Sequence, residues 1–205
     1  MAGHGMTRRS VPVANAALLG MLAALAASPC DAHLISTGLG PVYDGITHFA
    51  LTPEDLIPAV ALALLAGLRG RDHARRVIFV LPLAWLLGGW VGTLTRTSMP
   101  PSLAWLPLLL LGGLVASDLR LPRWATTAIA VLLGAFLGYG NGAAMAQAGP
   151  GLRAVMGISA TVFVVTTLVA ALVVAWQSGW LRIAWRVVGS WIAASGLLLL
   201  GWSLL

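Results

Sequence analysis

The chain contains no lysine, only six acidic residues and a single cysteine, Cys30, among its 205 residues. Charged residues make up 9% of the sequence and hydrophobic residues 59%, with a mean hydropathy of +0.92. Soluble domains carry roughly 25% charged residues, so this composition excludes a soluble globular protein and indicates a bilayer protein. Because Cys30 falls inside the predicted leader, we expect the mature chain to have neither a disulfide nor a thiolate ligand.

Motifs of common enzyme classes are also missing from the sequence. There is no Gly-x-Ser-x-Gly elbow, and no histidine lies in the later apolar segments to act as a base. No ATP-binding motif is present, and few ionisable groups lie deep in the apolar segments, as a proton relay would require. The sequence therefore predicts a protein that is not an enzyme and holds no prosthetic group.

The first 32 residues have the pattern of a cleaved signal peptide. Two arginines precede an apolar stretch over 11–27, and small residues follow at Cys30 and Ala32. Cleavage after Ala32 would make His33 the mature N-terminus. An uncleaved transmembrane helix is the alternative, but the apolar stretch is shorter than the roughly 20 residues of a span and is followed by Pro29.

Six apolar segments follow, each of about the 17 to 25 residues that cross a hydrocarbon core. They are Pro53–Arg69, Arg76–Leu94, Pro101–Ser117, Arg123–Met145, Leu152–Trp176 and Trp180–Leu204. We predict an all-α, polytopic membrane protein with a signal peptide over 1–32, an outer-face segment over 33–52 and a six-helix transmembrane domain over 53–205. The predicted location is a bacterial inner membrane. The mature N-terminus should lie outside because a cleaved leader exports the chain behind it, and six spans return the C-terminus to the same side.

The positions of the arginines support this topology. The loops assigned to the cytoplasm hold eight arginines and the outer loops only Arg96 and Arg153, as the positive-inside rule requires. The eight are Arg69, Arg71, Arg75, Arg76, Arg120, Arg123, Arg182 and Arg186. The sequence pI of about 11.3 therefore reflects topology, and we expect no nucleic-acid partner.

Three other polar residues lie in these arginine-rich loops. Asp72 and Asp118 are predicted to form solvated ion pairs, which is the ordinary state of such acids. His73 is predicted to be exposed.

Glycines recur at four-residue spacing on two of the predicted spans. They are Gly88 and Gly92 on the second and Gly134, Gly138 and Gly142 on the fourth. Small residues at this spacing allow helix backbones to approach closely, so the pattern predicts tight helix packing and carries no information about a substrate.

The outer-face segment is predicted to form a short helix over Val42–Leu51. Pro53 disfavours the α conformation at the residue before it, so this helix and the first span are expected to meet at a joint. The Thr-Pro-Glu-Asp sequence there is typical of a helix start, and capping would explain Glu54 and Asp55. In the alternative, one carboxylate caps while the other reaches toward His48.

Asp44 and His48 stand one helical turn apart in this segment. Imidazole nitrogen and carboxylate oxygen suit Ni(II), Co(II), Zn(II) or Cu(II), and a mature N-terminal His33 would add a further donor. These three residues, with Glu54 and Asp55 as additional carboxylates, form the predicted metal site. The alternative for Asp44 and His48 is a local hydrogen bond without a metal.

The stretch from His33 to His48, HLISTGLGPVYDGITH, is followed by LTPEDLIP and an Ala- and Leu-rich helix ending at Gly67. From His33 to Gly70 the chain resembles the HupE/UreJ family of hydrogenase and urease accessory membrane proteins, and the resemblance extends as topology over the whole chain. It implies a nickel or cobalt permease or metal-supply protein in which Asp44 and His48, with His33 beside them, handle the metal.

Two features depart from the better-known branch of that family, which has a contiguous Asp-His pair in its first motif and histidines with a glutamate in a later span. Here three residues separate Asp44 from His48, and the later span offers Asn141 and Met145. Those two are predicted as weak ligands along a transport path, with core packing as the alternative for Met145.

The predicted function is a permease or supply protein for a divalent transition metal, nickel or cobalt, captured at the outer face. The alternative is a membrane metallochaperone or scaffold that holds the ion without translocating it. The expected partners are the lipid bilayer, the metal ion as substrate, and either a metalloenzyme maturation partner or further copies of the chain.

Overall fold

The computed structural model of the protein describes residues 37–97, 103–176 and 178–204. Over these ranges it consists of seven α-helices and has no strand, which confirms the all-α prediction. The helices are α1 (Pro41–Leu51), α2 (Pro53–Arg69), α3 (Arg71–Thr95), α4 (Trp105–Ser117), α5 (Arg123–Ala148), α6 (Gly151–Ala175) and α7 (Gly179–Ser203). The predicted signal peptide, its cleavage site and His33 lie outside the described residues.

Each of the six predicted apolar segments forms one of the helices α2 to α7. The largest difference in bounds is at α3, which begins at Arg71 and not at Arg76. Gly70, with φ 100, ends α2, and the arginine-rich turn after it is already helical because arginine is a good helix former. An apolar pattern marks the part of a helix that enters the hydrocarbon, and the helix itself extends beyond it.

Among the described residues, four to five candidate membrane spans are found, against the six predicted. Four helices, α3, α5, α6 and α7, are long and apolar enough to cross a membrane, and the bent pair α1 and α2 counts as a fifth if taken as one span. Helix α4 has 13 residues and rises only about 20 Å, less than the roughly 30 Å of a hydrocarbon core. The structure is therefore that of a multi-pass membrane protein with four to five candidate spans, and six are not confirmed.

The joint between α1 and α2 is present as predicted. The two helices are bent by 74°, and Thr52 between them is extended, with φ −103 and ψ 96, before Pro53 at the start of α2. Thr52 is at the N-cap position of α2, but no side chain caps the helix, so capping does not explain Glu54 and Asp55. The Thr52 hydroxyl instead donates a hydrogen bond of 2.7 Å to the carbonyl of His48.

Helix α2 lies at the centre of the bundle and contacts α3, α4, α5, α6 and α7. Every residue from Ala61 to Gly67 is buried, and no ionisable side chain lies between Asp55 and Arg69 on this helix. An apolar, small-residue helix without charges is suited to a position enclosed on all sides by other helices. The central helix thus has a polar residue near each end and an apolar middle.

The glycine series of α3 and α5 pack against each other, which confirms the predicted close approach. A Cβ at Gly138 would lie 2.2 Å from the carbonyl oxygen of Trp85, and one at Gly142 would lie 2.0 Å from that of Gly89. On the opposite side of the contact, a Cβ at Gly88 would lie 2.4 Å from a backbone oxygen of α5. Real Cβ atoms cannot come so close to backbone, so glycine is required at this contact.

Asp118 does not form the solvated pair predicted from the sequence. It accepts hydrogen bonds from Arg69 at the end of α2 and, at 2.7 Å, from Arg182 at the start of α7, and the Arg69 side chain is only 6% exposed. The ends of α2, α4 and α7 meet here, which encloses the carboxylate. The hydrogen bond from Arg182, with the positive charges of both arginines, holds the pKa of Asp118 below its ordinary value, although burial opposes this.

His73 forms a polar contact that was not predicted, whereas Asp72 forms a solvated ion pair, as predicted. The Nδ1 atom of His73 lies 3.0 Å from the Thr126 hydroxyl, because the first turns of α3 and α5 pack side by side. Asp72 forms an exposed ion pair with Arg123 at 3.2 Å, which confirms that prediction.

The depressed pKa of Asp118 predicts how stability depends on pH. The network's contribution is fully present above the ordinary carboxyl pKa of 3.8 and is lost as the pH falls through the lower folded-state value. We expect Asp118→Asn to lower the melting temperature in detergent at pH 7, and the gap between variant and wild type to close as the pH falls below 3.8. Asp72→Asn, which removes an exposed pair, is the control and should change stability by less than about 1 kcal/mol. A gap for Asp118→Asn that stays constant down to pH 3 would contradict the prediction.

Candidate functional site

Polar side chains are scarce in the interior of the described helices. Six are buried there: Asp44, Asp55, Thr126, Asn141, Ser159 and Thr166. Both buried carboxyls belong to α1 and α2, and Asn141 hydrogen-bonds to one of them. Of the six, Asp55 and Asn141 are therefore in direct contact, close to the joint between α1 and α2.

His48 and Asp55 are brought together by the bend between α1 and α2. His48 lies in the last turn of α1 and Asp55 in the first turn of α2. The His48 Nε2 atom lies 3.9 Å from Oδ2 of Asp55, with side chains 16% and 8% exposed. One part of the second alternative for the acids is observed: the carboxylate of Asp55 reaches toward His48. The other carboxylate, Glu54, does not cap α2.

Asn141 reaches the same carboxyl group from α5. Its Nδ2 atom donates to both oxygens of Asp55 at 3.0 Å, and also to the carbonyl of Leu137 at 2.9 Å. Its Oδ1 atom is buried and accepts no hydrogen bond from the described residues. His48, Asp55 and Asn141 therefore form one cluster of an imidazole, a carboxyl and an amide from three helices, which we call the polar triad.

Asp44, the predicted partner of His48, is committed to a different contact. Its Oδ1 atom accepts hydrogen bonds of 2.7 Å from both the backbone N–H and the hydroxyl of Thr37, and its side chain is buried. This bond ties the segment before α1 back onto the helix. Asp44 thus has a clear structural role one turn away from His48.

The remaining predicted site residues lie apart from the triad. Glu54 is exposed, so it neither caps α2 nor faces the triad's interior. Met145 is fully buried in the hydrophobic core, in agreement with the packing alternative. Among the described residues no three His, Cys, Asp or Glu side chains are grouped closely enough to hold a metal ion. The triad supplies only two donors of these types, His48 and Asp55, and its third polar group is the amide of Asn141.

An aromatic pair packs directly beside the triad. Phe49, the residue after His48, meets Trp85 of α3 edge to face, with ring centroids 5.7 Å apart, and both rings are fully buried. Trp85 also lies against Gly138, three residues before Asn141. Buried aromatic packing therefore adjoins the triad's helices α1 and α5, and a low local dielectric strengthens electrostatic interactions.

Two contacts of the site were not found from the sequence. The bond between Asn141 and Asp55 joins residues 86 positions apart, and no periodicity of a single sequence reports such a pairing. Thr37 had a weak signal, since a threonine before a Gly-Leu-Gly-Pro stretch is suited to hydrogen-bonding an adjacent helix start.

A family model described as HupE / UreJ protein matches residues 20–199. No curated protein and no solved structure gave a significant match. The matched region contains every helix described above except the last residues of α7, together with the polar triad and the glycine contact. The match covers far more than half of the sequence, and the chain belongs to the HupE/UreJ family.

Proposed function

We propose that this protein takes up a divalent transition metal, nickel or cobalt, and that the ion first binds at the polar triad. Members of the HupE/UreJ family are associated with nickel or cobalt uptake or with accessory functions for hydrogenase and urease. One observation supports assigning this role to particular residues. Three polar side chains from three helices converge where the α1–α2 pair is bent. In a bundle this apolar, buried polar groups are costly unless they serve packing or passage.

The donors of the triad suit such an ion. Imidazole nitrogen with carboxylate and amide oxygen is a mixed N/O set that Ni(II) and Co(II) accept. His48 lies at the edge of the site and is partly exposed, while Asp55 and the Asn141 amide lie deeper. In the proposal, the ion meets the imidazole first and then replaces the hydrogen bonds between Asn141 and Asp55 with bonds to itself.

His33 and Asp44 are proposed to support metal binding at the triad. Asp44 accepts two hydrogen bonds from Thr37, which fixes the start of the described chain beside α1. A mature N-terminal His33 would then supply an additional donor at the outer face. Asp44 acts by fixing this segment in place.

Passage inward would follow the apolar middle of the bundle. No ionisable side chain lies on α2 between Asp55 and Arg69, and the inner end is rich in arginine. A cation is not attracted by that end, so the proposed uptake is driven by a membrane potential, negative inside, or by removal of the ion by a partner. A scaffold or metallochaperone that only holds the ion is the second candidate.

The test is uptake of radioactive nickel or cobalt by proteoliposomes with an imposed potential, negative inside, together with titration calorimetry in detergent. We expect wild type to accumulate the ion and His48→Ala to lose at least about tenfold in affinity and uptake, the usual cost of a lost ligand. Glu54→Gln is the control, because Glu54 is close in sequence but exposed.

Two outcomes would contradict the proposal in different ways. Binding at the surface with no internal counts under any gradient would overturn transport and favour the scaffold. Equal affinity in wild type and His48→Ala would overturn the metal role of the triad.

A further inference from the structure

A second polar site lies at the opposite end of the bundle from the triad. It is an open cavity of about 410 Å³ lined by Arg69, Arg71, Asp72, His73 and Arg123. Asp55 and Arg69 are 14 residues apart on α2, a rise of about 21 Å, so the cavity and the triad are separate sites. The proposed metal site does not include this cavity.

The electrostatics of the cavity favour an anion. Three guanidinium groups line it with one carboxylate, that of Asp72, which is paired with Arg123 at 3.2 Å. Arg69 is paired with Asp118, which is shared with Arg182, so with these partners four arginines face two carboxylates. The helices α3 and α5 both begin here without a side-chain cap, so their unpaired N–H groups and dipoles add positive potential. A positive cavity on this scale is suited to a phosphate group.

An unsatisfied donor on a lining side chain supports the same conclusion. The Arg69 side chain is 6% exposed and is bound to Asp118 through its Nη2 atom, while its Nε–H is buried and has no hydrogen-bond partner among the described residues. A buried donor without a partner costs free energy, and a bound phosphate that drew the Arg69 side chain toward the cavity would relieve this cost.

The position of the cavity identifies the source of the phosphate. Both α3 and α5 are candidate spans, and the cavity is formed by their first turns, which places it at the level of the lipid headgroups. Phospholipid phosphate is the most concentrated anion there, and basic pockets between helices at the cytoplasmic face attract anionic lipids. We propose that this cavity binds the headgroup of an anionic phospholipid, through Arg71, Arg123 and Arg69.

The experiment is native mass spectrometry of the full chain in a non-ionic detergent, titrated with phosphatidylglycerol or phosphatidylcholine. We expect phosphatidylglycerol to bind more tightly than phosphatidylcholine. Arg71→Gln/Arg123→Gln should weaken phosphatidylglycerol binding by at least about tenfold, because two arginines that attract the anionic headgroup are removed. The matched control is Arg75→Gln/Arg120→Gln, which removes the same charge from exposed arginines of the same end that do not line the cavity. It should retain most of the wild-type affinity.

Asp72→Asn should change the affinity for phosphatidylglycerol in the opposite direction. Removing the one lining carboxylate should tighten phosphatidylglycerol binding, and a misfolded chain cannot produce a gain of this kind. Equal binding of the two lipids, an equal loss in both arginine pairs, or full displacement of the lipid by millimolar inorganic phosphate would each overturn the proposal.

Discussion

Gly142→Ala is expected to be among the most damaging single substitutions in this protein. The added Cβ would lie 2.0 Å from the carbonyl oxygen of Gly89 and 2.7 Å from its carbonyl carbon. These are backbone atoms, so α3 and α5 would have to separate along their whole contact. We expect a loss of at least about 3 kcal/mol of stability, the upper part of the range for overpacked interiors, measured as a lower melting temperature and aggregation in detergent.

Gly113→Ala is the matched control for this prediction. Gly113 lies in α4 and nothing lies within 4 Å of a Cβ built on it, so the substitution adds the same methyl group without a clash. Alanine is favoured over glycine in helices by about 1 kcal/mol, and the control should be neutral or slightly stabilising. If both variants melt together with wild type, the close approach of α3 and α5 does not exist in the folded protein.

The helices and the glycine contact could be predicted because their signals are local. Each of α2 to α7 is an apolar run long enough to recognise in a window of the sequence, and Pro53 predicts the joint after α1 from its ring geometry alone. The four-residue spacing of Gly134 and Gly138 shows that one helix face lacks side chains and can pack closely against another helix. The spacing does not identify the partner, and the pairing of this series with that of α3 comes only from the structure.

The composition of the candidate site could be predicted only in part, because the site is made of long-range contacts. The i, i+4 spacing of Asp44 and His48 suggests a pair, yet Thr37 binds Asp44 and the bend of the chain gives His48 a different carboxyl, Asp55. Asn141 was found as the polar residue of a glycine-lined helix, but its contact with Asp55 depends on how α5 packs. Local spacing identifies donors, and packing decides which of them meet.

Asn141→Leu is the second substitution expected to have a large effect. It would leave the Asp55 carboxyl buried without the two hydrogen bonds from the Asn141 amide. Loss of one partner from a buried polar pair costs about 2 to 5 kcal/mol, which thermal unfolding in detergent would measure. Nickel and cobalt binding, measured by calorimetry on the chain that remains folded, should be lost as well.

The double variant Asp55→Leu/Asn141→Leu separates the structural and functional roles of the triad. Replacing both partners of a buried pair by apolar residues of similar size is often neutral, so the double variant should recover to within about 1 kcal/mol of wild type. It should still bind no metal, because only His48 remains of the three donors. Met145→Leu, a buried volume-conserving change one turn beyond Asn141, should alter neither property. A double variant that regains stability and also binds nickel as wild type does would show that the triad only holds α2 and α5 together, and that the ion binds elsewhere.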